Sequence, residues 1–268
     1  MFGKRPDGEK ITDLSRVRAF MPFVSPRRNE SLVLYSTEIE VDEAIAFVER
    51  YNEDRDEDRQ MTLFHLYLRS LSQAFIARPG VNRFVAGGRL WQRNHTAVTF
   101  TAKQSLEDGA PMHTVKRIFA EDETLEEMVD SIMGRIKKRR SGQVTRSDKE
   151  MNLALVFPVL VVRLVMWCLH KANMMHMLPK SFIDDDPMFT SVFIANLGSV
   201  GLDAGYHHLW EYGTCSAFGV IGKVHERADG KRVMVVQYSY DERVEDGLYA
   251  AFTMGLIKDN LENPESLR

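Results

Sequence analysis

The stretch Asp241-Glu242-Arg243-Val244-Glu245-Asp246-Gly247 gathers four carboxylates and a guanidinium near the C-terminus. A carboxylate of this run, such as Glu242, could in principle act as a base. An unperturbed glutamate has a pKa of ~4.3 against ~6.5 for histidine, so at neutral pH it is ionised and about two units weaker as a base. Burial, or the charges of Glu245 and Asp246, would raise it. Ionised, it only accepts hydrogen bonds. The competing reading makes Glu242 a structural or ligand-orienting group that pairs with an arginine or closes a channel. His207-His208 is a second place where a base could reside; the alternative there is a packing pair with one ring exposed. His170, His176, His207 and His208 show neither His-x-x-x-His nor His/Cys spacing, so no metal site is expected. Gly87-Gly88 lacks the third glycine or the Lys-Ser/Thr of a phosphate loop.

These groups must be held by helices and strands that mingle without strict alternation, which implies a mixed α/β domain rather than a doubly wound nucleotide fold. Residues 1–30, with Pro6, Pro22 and Pro26, read as an irregular N-terminal arm, and 31–268 as one domain. Strands are predicted over 31–41, 84–90, 96–103, 112–119, 188–196, 217–224 and 232–240. Asp42 and Thr62 are the expected N-caps of the first two helices. Leu125, Met128, Val129, Ile132, Met133 and Ile136 recur at helical spacing and mark an amphipathic helix. It ends in Lys137-Lys138-Arg139-Arg140, read as a solvated helix end where cations suit the dipole. Leu248, Phe252, Leu256 and Leu261 line a final helix.

The chain has 268 residues, 44% hydrophobic and 27% charged, with a net charge of -3. That balance gives no general attraction to nucleic acid or anionic membranes. Cys168 and Cys215 form no CxxC or disulfide framework, so a reducing cytoplasm is the default expectation. The polar N-terminus lacks the apolar stretch of a signal peptide. Residues 151–169 are nearly all apolar but include Asn152, Pro158 and Arg163. A spanning helix needs ~20 apolar residues, and Arg163 at its centre would cost ~2.5–3.5 kcal/mol. A helix from near Pro158 to near Asn173 is therefore expected to be buried, first within the chain, otherwise against a second trimer or a membrane surface through about 151–178.

The 241–247 run resembles the His-x-x-x-Asp-Gly motif of the catalytic domain of 2-oxo acid dehydrogenase complex acyltransferases and chloramphenicol acetyltransferase. Asp241, Arg243, Asp246 and Gly247 match, and Glu242 stands in place of the histidine. Ile194-Ala195-Asn196-Leu197-Gly198 is similar to the family's Ile-Ser-Asn-Leu-Gly, with Ala195 for serine and with Asn196 and Gly198 retained. Phe218-Gly219-Val220-Ile221-Gly222, Pro79-Gly80-Val81-Asn82 and Leu261-Glu262-Asn263-Pro264 resemble further family segments in the same order, so the likeness covers about 15–265. Tyr206-His207-His208-Leu209 and the Asp-Glu-Arg form of the motif resemble a group of short proteins classed with these acyltransferases by similarity.

The resemblance implies a chloramphenicol-acetyltransferase-like mixed sheet with flanking helices, a homotrimer, and sites between neighbours. It implies a CoA-dependent acyltransferase-like protein in which CoA or acyl-CoA is a substrate, the acceptor is unnamed, and no cofactor is tightly held. Asp246 is expected in a buried pair with an arginine. No lipoyl segment is recognised, so a free-standing organisation is expected. The segment at about 148–186 is longer than the family's and reads as an apolar helical insertion. Loss of the base forfeits ~10²–10⁴ in rate, and loss of one oxyanion donor ~10²–10³. Ordinary acetyl transfer is therefore expected to be negligible. The alternative is a non-catalytic binding or assembly protein on the same trimeric scaffold.

Overall fold

The computed structural model describes residues 4–103, 112–140, 149 and 152–268. In chain order its elements are β1 (Gly8–Lys10), α1 (Arg16–Val24), β2 (Leu32–Glu40), α2 (Asp42–Asn52), α3 (Leu63–Ala77), β3 (Arg83–Ala86), β4 (Arg89–Arg93), β5 (Thr96–Lys103) and β6 (Met112–Phe119). They continue with α4 (Leu125–Arg140), α5 (Val159–Met174), α6 (Lys180–Asp185), β7 (Val192–Asn196), β8 (Ala217–Glu226), β9 (Arg232–Asp241) and α7 (Gly247–Glu262).

Six strands form one mixed sheet in the order β2-β9-β8-β7-β5-β6. β7 runs parallel to both β5 and β8, and the other pairs are antiparallel. Val192, Phe193 and Ile194 of β7 are buried on both faces, as an unbroken apolar run in a central strand requires. Helices α2, α3, α4 and α7 cover one face and make the main core with Val192, Ile194, Val236 and Tyr238. On the other face Phe193, Phe218 and Val220 pack with Leu209 and Cys215 of the long connection from β7 to β8. A smaller sheet, β1-β4-β3, stands beside the first. The mixed sheet with flanking helices is the architecture anticipated from the sequence.

Polar side chains fix the layers. The Tyr67 hydroxyl of α3 donates to that of Tyr238 in β9 at 3.0 Å, and Ser70 Oγ donates to the Ile257 carbonyl of α7 at 2.9 Å. Arg69 donates to the Leu267 and Glu123 carbonyls at 3.2 and 2.8 Å, holding the C-terminus against α3.

Four local expectations need correction. The N-terminal arm is not irregular over its described part: it contains β1 and α1. Ser15 Oγ caps α1 by accepting from Arg18 N at 3.3 Å, and the helix runs through Pro22 at the loss of one backbone donor. The apolar run 84–90 is not one strand but a hairpin, because Gly87 and Gly88 turn the chain at φ 61° and 66°. Asp42 is not a cap: Val41 holds that place, and the Asp42 carboxylate bonds Arg232 N and Nε.

The fourth concerns α5. Its bounds are close to the expected ones, and Pro158 precedes it as the capping residue. Only its C-terminal part docks, Leu169 and Ala172 against Leu178, Ile183 and Phe189. Arg5, itself paired with Asp7, donates to the Asn173 carbonyl and Oδ1 at 3.0 and 2.8 Å. The rest of α5 leaves its apolar side chains exposed, so among the described residues nothing buries them.

Candidate functional site

The antiparallel β9 delivers the 241–247 run at its C-terminal end. Asp241 is fully buried and accepts from Arg243 Nε at 2.8 Å and Nη2 at 2.7 Å, with Arg243 N at 3.1 Å. Arg243 Nη1 donates onward to the carbonyls of Ser25 and Pro26 at 3.0 and 2.8 Å. A bidentate buried pair with further donors satisfied by backbone carbonyls is the form in which such a pair is tolerated. It ties the C-terminal turn to the end of α1.

Glu242 is half-buried, and its main chain is fixed on both sides. Its N–H donates to the Ser31 carbonyl at 2.9 Å, and its carbonyl accepts from Arg18 Nη1 at 2.5 Å. Among the described residues no hydrogen bond or ion pair engages its carboxylate. The neighbouring carboxylates are occupied. Glu245 bonds Arg83 Nη1 at 2.5 Å and lies 3.6 Å from Arg18 Nη2. Burial raises the Tyr240 phenol, and the charges of Glu242 and Asp246 add to that.

Asp246 differs from expectation. Its side chain is exposed, 4.0 Å from Arg18 Nη2, and it caps α7 by accepting from Tyr249 N at 2.8 Å. The buried carboxylate–arginine pair is made by Asp241 instead. Gly247 opens α7, where a Cβ would lie 3.3 Å from the Tyr240 hydroxyl.

Ala195 lies in β7 opposite Val220 of β8. Asn196 closes the strand: its Oδ1 accepts from Ser199 N at 3.2 Å and its carbonyl from Ser199 Oγ at 2.8 Å. Gly198 is required by close approach, since a Cβ there would sit 2.5 Å from the Gly222 carbonyl oxygen. A cleft of about 500 Å³ opens here, lined by Thr62, His65, Met133, Ile136, Asn196 and Ser199 among others.

His65 was not singled out in the sequence. Its Nδ1 accepts from Thr62 N at 3.1 Å, which assigns the proton of the neutral ring to Nε2. Burial lowers its pKa to about 4. The signal that would have found it is Thr62-x-x-His65, the spacing of a capping box with an imidazole at the third helical position.

Strand register separates the two ends of the proposed site. Ala195 pairs with Val220 and Val220 with Gln237, and Glu242 lies five residues further along the chain. At ~3.3 Å per residue and ~4.8 Å per strand this is ~16 Å along and ~10 Å across, about 19 Å in all. No side chain in one copy spans it. The histidine pair lies on the same face as Ala195. The His207 ring stacks on Phe218 at 4.0 Å and on His208 at 4.5 Å, and Phe218 stacks on Phe193 at 5.1 Å. His207 is half-buried and His208 exposed. Their loop is pinned by Arg28, which donates to the carbonyls of Trp210 and Gly213, and by Asn29 on Leu209. Among the described residues no cluster of His, Cys, Asp or Glu could hold a metal ion.

No family model matches the chain, and no curated relative does. Solved structures do match its fold. The Azotobacter vinelandii dihydrolipoamide acetyltransferase, studied for a serine, a histidine and an asparagine in its catalytic mechanism, is 16% identical with a TM-score of 0.62. The match covers 96% of this chain and 94% of that one. The truncated catalytic core of the 2-oxoacid dehydrogenase multienzyme complex from Thermoplasma acidophilum is 13% identical, with a TM-score of 0.62 over 96% and 99% of the two chains. Chloramphenicol acetyltransferase is 12% identical, with a TM-score of 0.56 over 96% and 98%. The chain has the fold of the catalytic cores of 2-oxoacid dehydrogenase complex acyltransferases and of chloramphenicol acetyltransferase.

Proposed function

We propose that this protein is a homotrimeric, CoA-dependent acyltransferase-like protein whose site is assembled between copies. One copy supplies Glu242 and the next supplies the Ala195–Gly198 end with its cleft. The observation that carries the reading is the Glu242 carboxylate: its main chain is held by Ser31 and Arg18, yet among the described residues no side chain pairs with it. The 19 Å gap within one chain supports a shared site. So do exposed apolar side chains on the two helices joined to the 241–247 turn, Val17 and Phe20 of α1 and Leu248 and Phe252 of α7, which a neighbouring copy would cover.

In this reading Glu242 takes the proton of an acceptor thiol or hydroxyl as the acceptor attacks the thioester carbonyl. The tetrahedral intermediate collapses with loss of the CoA thiolate, which recovers the proton. Ala195 offers no hydroxyl to the oxyanion, and a carboxylate is intrinsically a weaker base than an imidazole. Acetyl transfer to lipoamide or chloramphenicol is therefore expected to be negligible beside a typical ~10 s⁻¹. Loss of both the histidine and the serine favours the second reading, a binding or assembly protein on the same scaffold.

Light scattering at micromolar concentration gives a trimer or a multiple of one; a monomer removes the shared site. Calorimetric titration with CoA separates the two functions. CoA binding by the trimer, with acyl-CoA turnover that falls in Glu242→Gln, supports the first, and absence of binding by a correct trimer supports the second. Glu242→His with Ala195→Ser should raise acetyl transfer well above Glu242→His alone. Wild-type turnover near ~10 s⁻¹ would overturn the assignment of negligible standard activity.

A further inference from the structure

Leu160, Leu164 and Trp167 recur at i, i+4 and i+7 on α5 and are 77%, 60% and 57% exposed. They point away from the domain, because Leu169, Ala172 and Asn173 occupy its inward side. The chain just before the helix adds the exposed Leu155, Val156 and Phe157. Exposed apolar surface of this extent has a partner. No helix among the described residues is long and apolar enough to cross a membrane.

Charge identifies the partner. From 152 to 183 the sequence has Arg163, Lys171 and Lys180 and no Asp or Glu. Lys180 is paired with Asp184 at 2.5 Å. Arg163 is exposed and, among the described residues, meets no carboxylate; Lys171 lies over the Trp167 ring at 5.7 Å, likewise without one. A two-fold contact between two copies of α5 would set these cations against each other with no acid in the segment to pair them.

We infer that α5 seats the protein on an anionic lipid surface. The stripe of Leu160, Leu164 and Trp167 enters the boundary between headgroups and acyl chains. Arg163 and Lys171 extend to lipid phosphates, with their methylene stems along the apolar layer. Trp167 sits at the depth where an amphipathic ring is favoured. The Arg5 clamp on Asn173 fixes the helix to the domain at its C-terminal end, so the lipid contact falls on the free N-terminal half.

The test uses the full chain with vesicles of phosphatidylcholine alone or mixed with phosphatidylglycerol, read by co-sedimentation and tryptophan emission. Expected is binding to the anionic vesicles, weakened by salt. A blue shift in emission should disappear in Trp167→Phe, since Trp91 is buried and Trp210 lies against His207 and His208 rather than on α5. Arg163→Gln and Lys171→Gln should each weaken binding roughly fivefold. The triple change Leu160→Ser, Leu164→Ser, Trp167→Ser should abolish it with circular dichroism and oligomeric mass unchanged. Wild-type protein that stays in the supernatant with anionic vesicles, or shows no emission shift, overturns the inference. So does a triple variant whose oligomer shrinks, which would assign the stripe to a second copy.

Discussion

Replacing Asp241 by asparagine keeps the shape of the side chain and removes the charge from a fully buried site. In the native turn one carboxylate oxygen receives Arg243 N at 3.1 Å and Nε at 2.8 Å, and the other receives Nη2 at 2.7 Å. Asparagine has a single acceptor oxygen. Whichever way its amide turns, its NH₂ meets a guanidinium N–H, donor against donor, and the buried cation loses its counter-charge. Removing one partner of such a pair costs ~3–5 kcal/mol, against a total stability of ~5–15 kcal/mol for a domain. For a chain of this length that lowers Tm by ~5–9 °C. Urea unfolding at fixed protein concentration measures it, with an unchanged m-value confirming that stability alone moved. A double-mutant cycle with Arg243→Met isolates the pair. Asp241→Asn and Arg243→Met should be strongly non-additive, because the second change removes the charge that the first one strands. A loss below ~1 kcal/mol, or additive single effects, would refute the argument that this pair carries the turn.

Stability should also fall with acid through His65. Its folded pKa is about 4 and its unfolded one is ~6.5, so the unfolded chain binds the extra proton between them and stability rises with pH there. The contribution is complete above ~6.5 and is lost as pH falls toward 4, roughly 3 kcal/mol in all. His65→Asn, which retains an acceptor for Thr62 N, should flatten the slope; His95 and His176, lowered by burial in the same sense, sustain the remainder. Superimposable pH–stability curves for the two proteins would exclude His65 as a source. Gly87→Ala should destabilise by ~1–3 kcal/mol, because φ is 61° and the new Cβ would lie 2.5 Å from the Met174 carbonyl oxygen; an unchanged denaturation midpoint would contradict that strain.

The element order was readable because the sheet strands alternate or run apolar and the helices keep their spacing, as in Leu125 to Ile136. The misreadings have local causes. Gly87-Gly88 sits inside an apolar run and reads as strand until φ is known. Pro22 reads as a breaker, but a proline removes only one bond from a helix that Ser15 has already capped. The choice between Asp241 and Asp246 as the buried partner of an arginine is invisible in sequence, since both flank the same short turn and only the exit direction of β9 decides which points inward. Exposure of α5 could not be read either. Its composition is that of a core helix, and only the docking of Leu169 and Ala172 at one end shows the rest to be free.

The register that holds Ala195 and Glu242 apart has a genetic consequence under the shared-site reading. A defect at one residue would be complemented by a subunit defective only at the other. Subunits carrying Glu242→Gln and subunits carrying Ala195→Trp, inert as separate populations, would regain function on co-assembly. With equal random mixing, about one quarter of the head-to-tail interfaces would combine an intact end from each parent. Two alleles that each fail alone could then complement within one cell, whereas a variant changed at both positions would complement neither.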